Sequence, residues 1–139
     1  GSGSALLLEA RERAERRPDE ATLLLSLGDG SPAGIVGSHV TDAARRGDVV
    51  ALRAFATVGT WLGRGLADLI AVLDPDAFII GGGVSDAADL LLPSVEASMK
   101  SRVFAPRVRP LPDIRIARLG NDAGLIGAAD LAFRSLEQS

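Results

Sequence analysis

Residues 73–85 read LDPDAFIIGGGVS, and this stretch predicts an α/β fold. The proline of the Asp-Pro-Asp segment cannot continue a helix, so the helical pattern before it ends there. Ala77–Ile80 is then a short unbroken apolar run, which is typical of a strand covered on both faces in a parallel sheet. Three glycines, Gly81, Gly82 and Gly83, end the strand. Ligands of open α/β sheets gather at the carboxyl ends of strands, so this glycine turn is the first candidate for a binding site.

A long amphipathic helix is predicted before this strand, over Val49–Leu73. Its large apolar residues recur at spacings of three and four, as one face of a helix requires: Leu52, Phe55, Val58, Leu62, Leu66, Leu69, Ile70 and Leu73. Gly59, Gly63 and Ala67 form a row of small residues on this helix. Each glycine costs about 1 kcal/mol of helix stability relative to alanine, so the row predicts a groove in which another backbone packs closely.

Shorter helices are predicted in the first third of the chain. Residues 5–17 have an amphipathic pattern, and their arginines are interpreted as a solvated helix face, with an anion site as the alternative. An apolar patch at residues 23–27 and a turn-rich loop at residues 28–34 follow. Thr41 is the predicted N-cap of a helix that Gly47 ends in a left-handed conformation, and Asp48 is the predicted cap of the next helix.

The second half of the chain predicts a parallel crossover. After the glycine turn, Ser85 can cap a turn and Pro93 can take the first position of a helix. Residues 114–117 alternate as a strand with one open face, and a last helix is predicted from residue 121 or 122 to about residue 136. Strand, helix, strand, helix is the order of a right-handed α/β crossover. Two short strands make a poor sheet, so further strands are expected outside this chain.

Length and composition restrict the function. The 139 residues suit one domain or part of one. A net charge of −3 argues against a nucleic-acid surface, and the lack of cysteine excludes disulfides and thiolate metal sites. No uninterrupted apolar run approaches about 18 residues and the N-terminus is no secretion signal, so neither a membrane partner nor export is expected. The lone histidine, His39, has no partner for a metal or nucleophile pair.

The glycine turn fits neither common phosphate-binding motif. Counting from Gly81, the sixth position is Asp86 where a dinucleotide fingerprint needs glycine, and no Gly-Lys-Ser or Gly-Lys-Thr occurs. From these residues alone a simple tight turn and a nucleotide-binding turn both stay open. Nearby aspartates could serve as general base or magnesium ligand, but capping and turn roles explain them more simply: Asp74, Asp76, Asp86 and Asp89. Gly124 and Gly127 are interpreted as helix-to-sheet packing residues rather than an anion site.

Four segments together resemble the sugar kinases of the ROK family (repressor, open reading frame, kinase), most closely its glucokinases. They are WLGRGLAD at 61–68, LDP at 73–75, IIGGGVS at 79–85 and LGNDAGLIGAA at 119–129. The resemblance implies an α/β fold of the actin-like ATPase (ribonuclease H-like) type. Residues 1–139 would then be the C-terminal portion of the large lobe, with the N-terminal lobe and the first strands of the large lobe absent. In the family this glycine turn lies against adenosine, which implies that Gly81, Gly82, Gly83 and Val84 bind the nucleotide.

The same resemblance implies an activity for the intact protein. A ROK glucokinase transfers the γ-phosphate of ATP, bound with Mg²⁺, to the 6-hydroxyl of glucose in the cytoplasm, and a homo-oligomer is expected. The family's catalytic aspartate, its N-terminal phosphate-binding motifs and its zinc-binding histidine and cysteines have no match here. No catalytic or metal-binding residue is therefore assigned, and this chain alone is expected to be inactive. The alternatives are a sugar-responsive effector domain of a ROK transcriptional repressor and a non-catalytic interaction domain with the same fold.

Overall fold

The computed structural model describes residues 2–81, 85–103 and 110–117. Five helices and two strands lie in these ranges: α1 (Ser2–Arg16), α2 (Thr22–Leu27), α3 (Gly37–Arg45), α4 (Val49–Leu73), β1 (Ala77–Ile80), α5 (Ala88–Arg102) and β2 (Asp113–Ile116). Short 3₁₀ turns at Pro32–Gly34 and Ser85–Ala87 connect α2 to α3 and β1 to α5. The last predicted helix, at residues 121–136, lies outside the described residues.

The two strands are parallel neighbours with α5 between them along the chain, so the predicted parallel strand-helix-strand arrangement is confirmed. Ala77 pairs with Asp113 and Ile80 with Ile116. The expectation that β1 is covered on both faces is wrong for the described structure. Phe78 is 5% exposed and belongs to the core, whereas Ile79, whose side chain points to the opposite face, is 42% exposed.

Close packing of α4 on α5 forms the largest contact between helices. A Cβ added to Gly59 would lie 2.7 Å from the Cβ of Ser94, and one added to Gly63 would overlap the carbonyl oxygen of Val95. In both cases the added Cβ would be far closer to its neighbour than van der Waals contact allows. Only glycine therefore permits α4 and α5 to approach this closely at these two positions. The groove predicted from the row of small residues is confirmed.

The corner between α3 and α4 is held by Asp48. Gly47 has a φ of +91°, the left-handed conformation predicted for it. The Asp48 side chain, 7% exposed as a residue, accepts hydrogen bonds from the N–H of Ala51 at 2.9 Å and of Leu24 at 3.1 Å. The predicted cap of α4 is therefore confirmed, and the same carboxylate also ties α2 to this corner.

Two predicted helix starts are wrong. Thr41 lies inside α3, which begins at Gly37 after an extended Val36, and the N–H of Val36 donates to Nδ1 of His39 at 3.1 Å. Pro93 lies inside α5, five residues after its start at Ala88. Leu91 and Val95 on either side of it are fully buried, so packing against α4 holds the helix although proline donates no backbone hydrogen bond. In addition, the apolar patch at residues 23–27 is the helix α2.

The arginines of α1 are only partly a solvated face. Arg11 donates from Nε and Nη2 to the carbonyl oxygen of Ile35, at 3.0 and 2.7 Å. Arg13 donates to Glu9 at 2.6 Å and to the hydroxyl of Thr57 at 2.8 Å, while Arg16 and Arg17, which directly follows the helix, are exposed. Half of this cluster therefore joins α1 to neighbouring elements, which the helical pattern alone could not show.

Among the described residues, only α4 is long and apolar enough to cross a membrane by length and composition. Its most apolar part has a mean hydropathy of 1.2. Its apolar residues are interrupted by Arg53, Arg64 and Asp68, so it contains no long unbroken apolar run. The central helix of a protein core meets the same criterion, and α4 packs on α1, α3 and α5. This packing accounts for its apolar composition.

Candidate functional site

The described structure fixes both ends of the glycine turn. Gly81 follows β1 and is half-buried, and the carbonyl oxygen of Ile80 just before it accepts a hydrogen bond from the N–H of Ala117 at 2.9 Å. Gly82, Gly83 and Val84 lie outside the described residues. The chain continues in the 3₁₀ turn Ser85–Ala87, whose Ala87 is 4% exposed.

A cavity of about 530 Å³ has Asp86 and Ala87 of this 3₁₀ turn in its lining. It is lined by three parts of the chain: α1 (Gly3, Leu6), α3 (Gly37, Ser38, Thr41, Asp42, Arg45) and the 3₁₀ turn (Asp86, Ala87). Cavities of roughly 300–1,000 Å³ are the usual size for small-molecule sites. We call it the α3 cavity.

Arg45 and Asp89 form an ion pair beside this cavity. The guanidinium donates from Nη1 to Oδ2 of Asp89 at 2.8 Å and from Nη2 to Oδ1 at 3.0 Å, and Nη2 also donates to the carbonyl oxygen of Asp86 at 3.1 Å. The hydrogen bond from Arg45 lowers the pKa of Asp89, and the same bond raises the pKa of Arg45. Both groups are therefore charged at neutral pH.

The α3 cavity offers donors and acceptors of several kinds. The first backbone N–H groups of α3, at Gly37 and Ser38, have no acceptor within their own helix, as at every helix start. The hydroxyls of Ser38 and Thr41 can donate or accept, and the carboxylates of Asp42 and Asp86 accept. This mixture suits a polar ligand with hydroxyl or amino groups. Within residues 2–81, 85–103 and 110–117, no group of three histidines or acidic residues could hold a metal ion.

The glycine turn has a signal in the sequence, whereas the residues of α3 that line the cavity have none. The interpretation of the nearby aspartates as turn and helix-end residues fits Asp74, which ends α4 in a left-handed conformation with φ 43°. Asp89 lies in the first turn of α5 and is paired with Arg45. No local pattern marks Arg45, because its partners lie 41 and 44 residues further along the chain.

The parallel crossover defines an α/β fold, a class of fold in which ligands gather at the carboxyl ends of the strands. The chain belongs to the ROK family, whose sequence profile matches residues 2–135.

Two Streptomyces glucokinases are similar to nearly the whole chain. The glucokinase of Streptomyces coelicolor is 49% identical over 131 residues, which cover 94% of this chain and 41% of that protein. The crystal structure of a ROK family glucokinase from Streptomyces griseus, in complex with glucose and AMPPNP, matches with a TM-score of 0.81 at 47% identity, over 93% of this chain and 41% of that one. The fold is therefore the actin-like ATPase fold expected from the sequence.

A more distant relative, the glucokinase of Thermotoga maritima, is 33% identical over 102 residues. That match covers 73% of this chain and 32% of the relative. The chain thus spans well under half the length of these relatives.

Proposed function

We propose that this chain is the segment of an ATP-dependent glucokinase that supplies the wall against which adenosine binds. The observation that carries the proposal is the α3 cavity, which is lined in part by Asp86 and Ala87, the residues that soon follow the glycine turn along this ROK chain. The similar Streptomyces griseus enzyme was crystallised with glucose and the ATP analogue AMPPNP. The intact protein would transfer the γ-phosphate of ATP to the 6-hydroxyl of glucose.

Each part of the site would have a distinct task in this proposal. The backbone of Gly81, Gly82 and Gly83 would allow close approach of the nucleoside, and Val84 would line the adenine pocket. The carboxylates of Asp42 and Asp86 can accept hydrogen bonds from ribose hydroxyls or from the adenine amino group. The amides at the start of α3 add a positive end that favours the nucleotide's negative charge.

The described residues contribute no carboxylate cluster for Mg²⁺, so the ion would enter as part of the MgATP substrate. The zinc of the family would be held by residues outside this chain. Because two glucokinases match more than nine-tenths of the chain, the kinase is favoured over the repressor and the interaction domain. A cytoplasmic location follows from the proposed substrates.

Substitution of Gly82 by leucine in the full-length gene product is expected to raise the KM for ATP about tenfold or more. A tenfold change corresponds to about 1.4 kcal/mol of lost binding free energy. The leucine side chain would occupy space that the nucleoside needs. The KM for glucose and the thermal unfolding midpoint should stay unchanged. Gly65→Leu is the matched control, since a Cβ at Gly65 meets nothing within 4 Å. An unchanged KM for ATP in a folded Gly82→Leu protein would remove the glycine turn from the site.

We further propose that this chain self-associates. The end of α4 and the adjoining strand expose large apolar side chains: Leu69 at 42%, Val72 at 80%, Leu73 at 51% and Ile79 at 42%. Exposed apolar residues grouped in this way favour association. Sedimentation velocity should show species heavier than the monomer, and Val72→Asp should shift them toward it. A monomer at every concentration would refute self-association.

A further inference from the structure

Arginines from two helices line a second cavity, at the end of α1 that is remote from the α3 cavity. This cavity has a volume of about 330 Å³ and lies where the end of α1 meets the start of α4. We call it the arginine cavity. The described residues that line it are Arg13, Arg16, Arg17, Glu20, Val50 and Arg53. Leu6 lines the α3 cavity, and at a rise of about 1.5 Å per residue Arg16 lies roughly 15 Å further along α1. The two cavities are therefore separate.

Two of the four arginines at this cavity already have a carboxylate partner. Arg13 is paired within α1 at 2.6 Å, and Arg53 donates from Nη1 to Oε2 of Glu20 at 3.1 Å. Within residues 2–81, 85–103 and 110–117, neither Arg16 nor Arg17 forms an ion pair. Both are exposed. In the described part of the chain, two positive charges at the cavity therefore have no carboxylate partner.

The positive charges at the arginine cavity repel one another. Arg17 follows Arg13 by four residues, and its N–H donates to the carbonyl oxygen of Arg13 at 2.8 Å, so the helical spacing continues to the end of α1. Like charges at this spacing destabilise a helix. Arg53 adds a further positive charge from α4. An anion bound among these side chains would replace the repulsion by attraction.

Attraction of an anion to the arginine cavity is a local property. The whole chain has a net charge of −3, so it does not attract anions in general. Among the described residues that line the cavity, Glu20 is the only acidic one and it faces four arginines. The lining therefore has a positive charge, opposite in sign to that of the chain.

We propose that the arginine cavity binds a phosphate group, with Arg16, Arg17 and Arg53 as its ligands. The inference goes beyond the proposed glucokinase activity and does not rest on it. Guanidinium groups match the geometry of phosphate oxygens and form charge-assisted hydrogen bonds with them. A phosphate dianion also balances the two arginines that have no carboxylate partner in the described structure. Free phosphate and the phosphate group of a sugar phosphate share this chemistry.

Glu20 competes with the ligand in this arrangement. Its carboxylate accepts from Arg53 and repels an anion in the same cavity. Removal of the Glu20 charge should therefore strengthen phosphate binding, whereas removal of an arginine should weaken it. Arginines that only form a solvated helix face would give neither result, so the opposite signs distinguish the two roles.

Isothermal titration of the 139-residue chain with inorganic phosphate, at constant ionic strength, tests the site. The wild type should show saturable binding. Arg17→Ala should raise the Kd about tenfold, the loss expected for one hydrogen bond between charged groups. Glu20→Gln should lower the Kd about two- to fivefold, the range of one exposed charge interaction. A parallel titration with glucose 6-phosphate identifies the source: tighter binding than inorganic phosphate assigns the site to a phosphate monoester, and weaker binding assigns it to the free ion.

Arg64→Ala is the charge-matched control. Arg64 is exposed on α4 as well, but it lines a different cavity, with Thr60 and Ser94, so its removal should leave the Kd for phosphate unchanged. Absence of saturable phosphate binding in the folded wild type would overturn the proposal. So would an equal loss of affinity in Arg64→Ala and Arg17→Ala, which would show attraction to the general charge of the chain. Weaker binding in Glu20→Gln would also contradict it.

Discussion

Replacement of Gly63 by alanine is expected to lower the free energy of unfolding of this chain by about 2 kcal/mol. The new Cβ would overlap the carbonyl oxygen of Val95 and would lie 2.7 Å from the Cβ of Ser98 and 3.0 Å from the backbone nitrogen of Met99. Two of these three neighbours are backbone atoms, which cannot rotate away. Overpacking costs about 1–3 kcal/mol, and an overlap with fixed backbone atoms falls at the upper end of this range. The better helix propensity of alanine offsets about 1 kcal/mol, which leaves a net loss of about 2 kcal/mol.

The matched control lies two residues further along the same helix. A Cβ on Gly65 would meet nothing within 4 Å, so Gly65→Ala should gain only the helix propensity, which is about 0.5–1 kcal/mol of stabilisation. Urea unfolding of the wild type and both variants would measure the difference. If both alanines change the stability in the same direction, the close contact between α4 and α5 is not present in the protein.

Features with local signals were predictable from the sequence. β1 is a short apolar run between a proline and glycines, and Asp48 directly precedes an amphipathic stretch, so strand and cap both follow from adjacent residues. The row of Gly59 and Gly63 also has a local signal, because glycine is unfavourable inside a helix unless close packing requires it. The order of strands and helices then predicts the parallel crossover.

Features decided by tertiary contacts were not predictable in this way. Thr41 has the residue type of an N-cap, but α3 starts four residues earlier, where His39 accepts the N–H of Val36. Pro93 has the residue type of a helix start, yet burial of Leu91 and Val95 extends α5 past it in both directions. Local propensity is a weak preference that such packing overrides.

The candidate site also combines a feature with a local sequence signal and a feature formed by tertiary contacts. The glycine turn follows from the sequence, because a strand that ends in three glycines has a local pattern. The part of the cavity formed by α3 does not follow from the sequence. Arg45 is separated from Asp86 and Asp89 by α4 and β1, so these residues come together only in the tertiary structure. Contacts between residues far apart in the chain therefore complete the α3 cavity.

A coupled assay of glucose phosphorylation with MgATP tests the proposed glucokinase activity of the intact protein. It should compare the full-length gene product with the 139-residue chain under the same conditions. The full-length protein is expected to form glucose 6-phosphate with a kcat of about 1–100 s⁻¹, the range common for kinases. The 139-residue chain should form none, because the family's catalytic aspartate has no match in it. Activity in neither protein would contradict the proposed glucokinase, and activity of the short chain alone would contradict the assignment of catalysis to residues outside it.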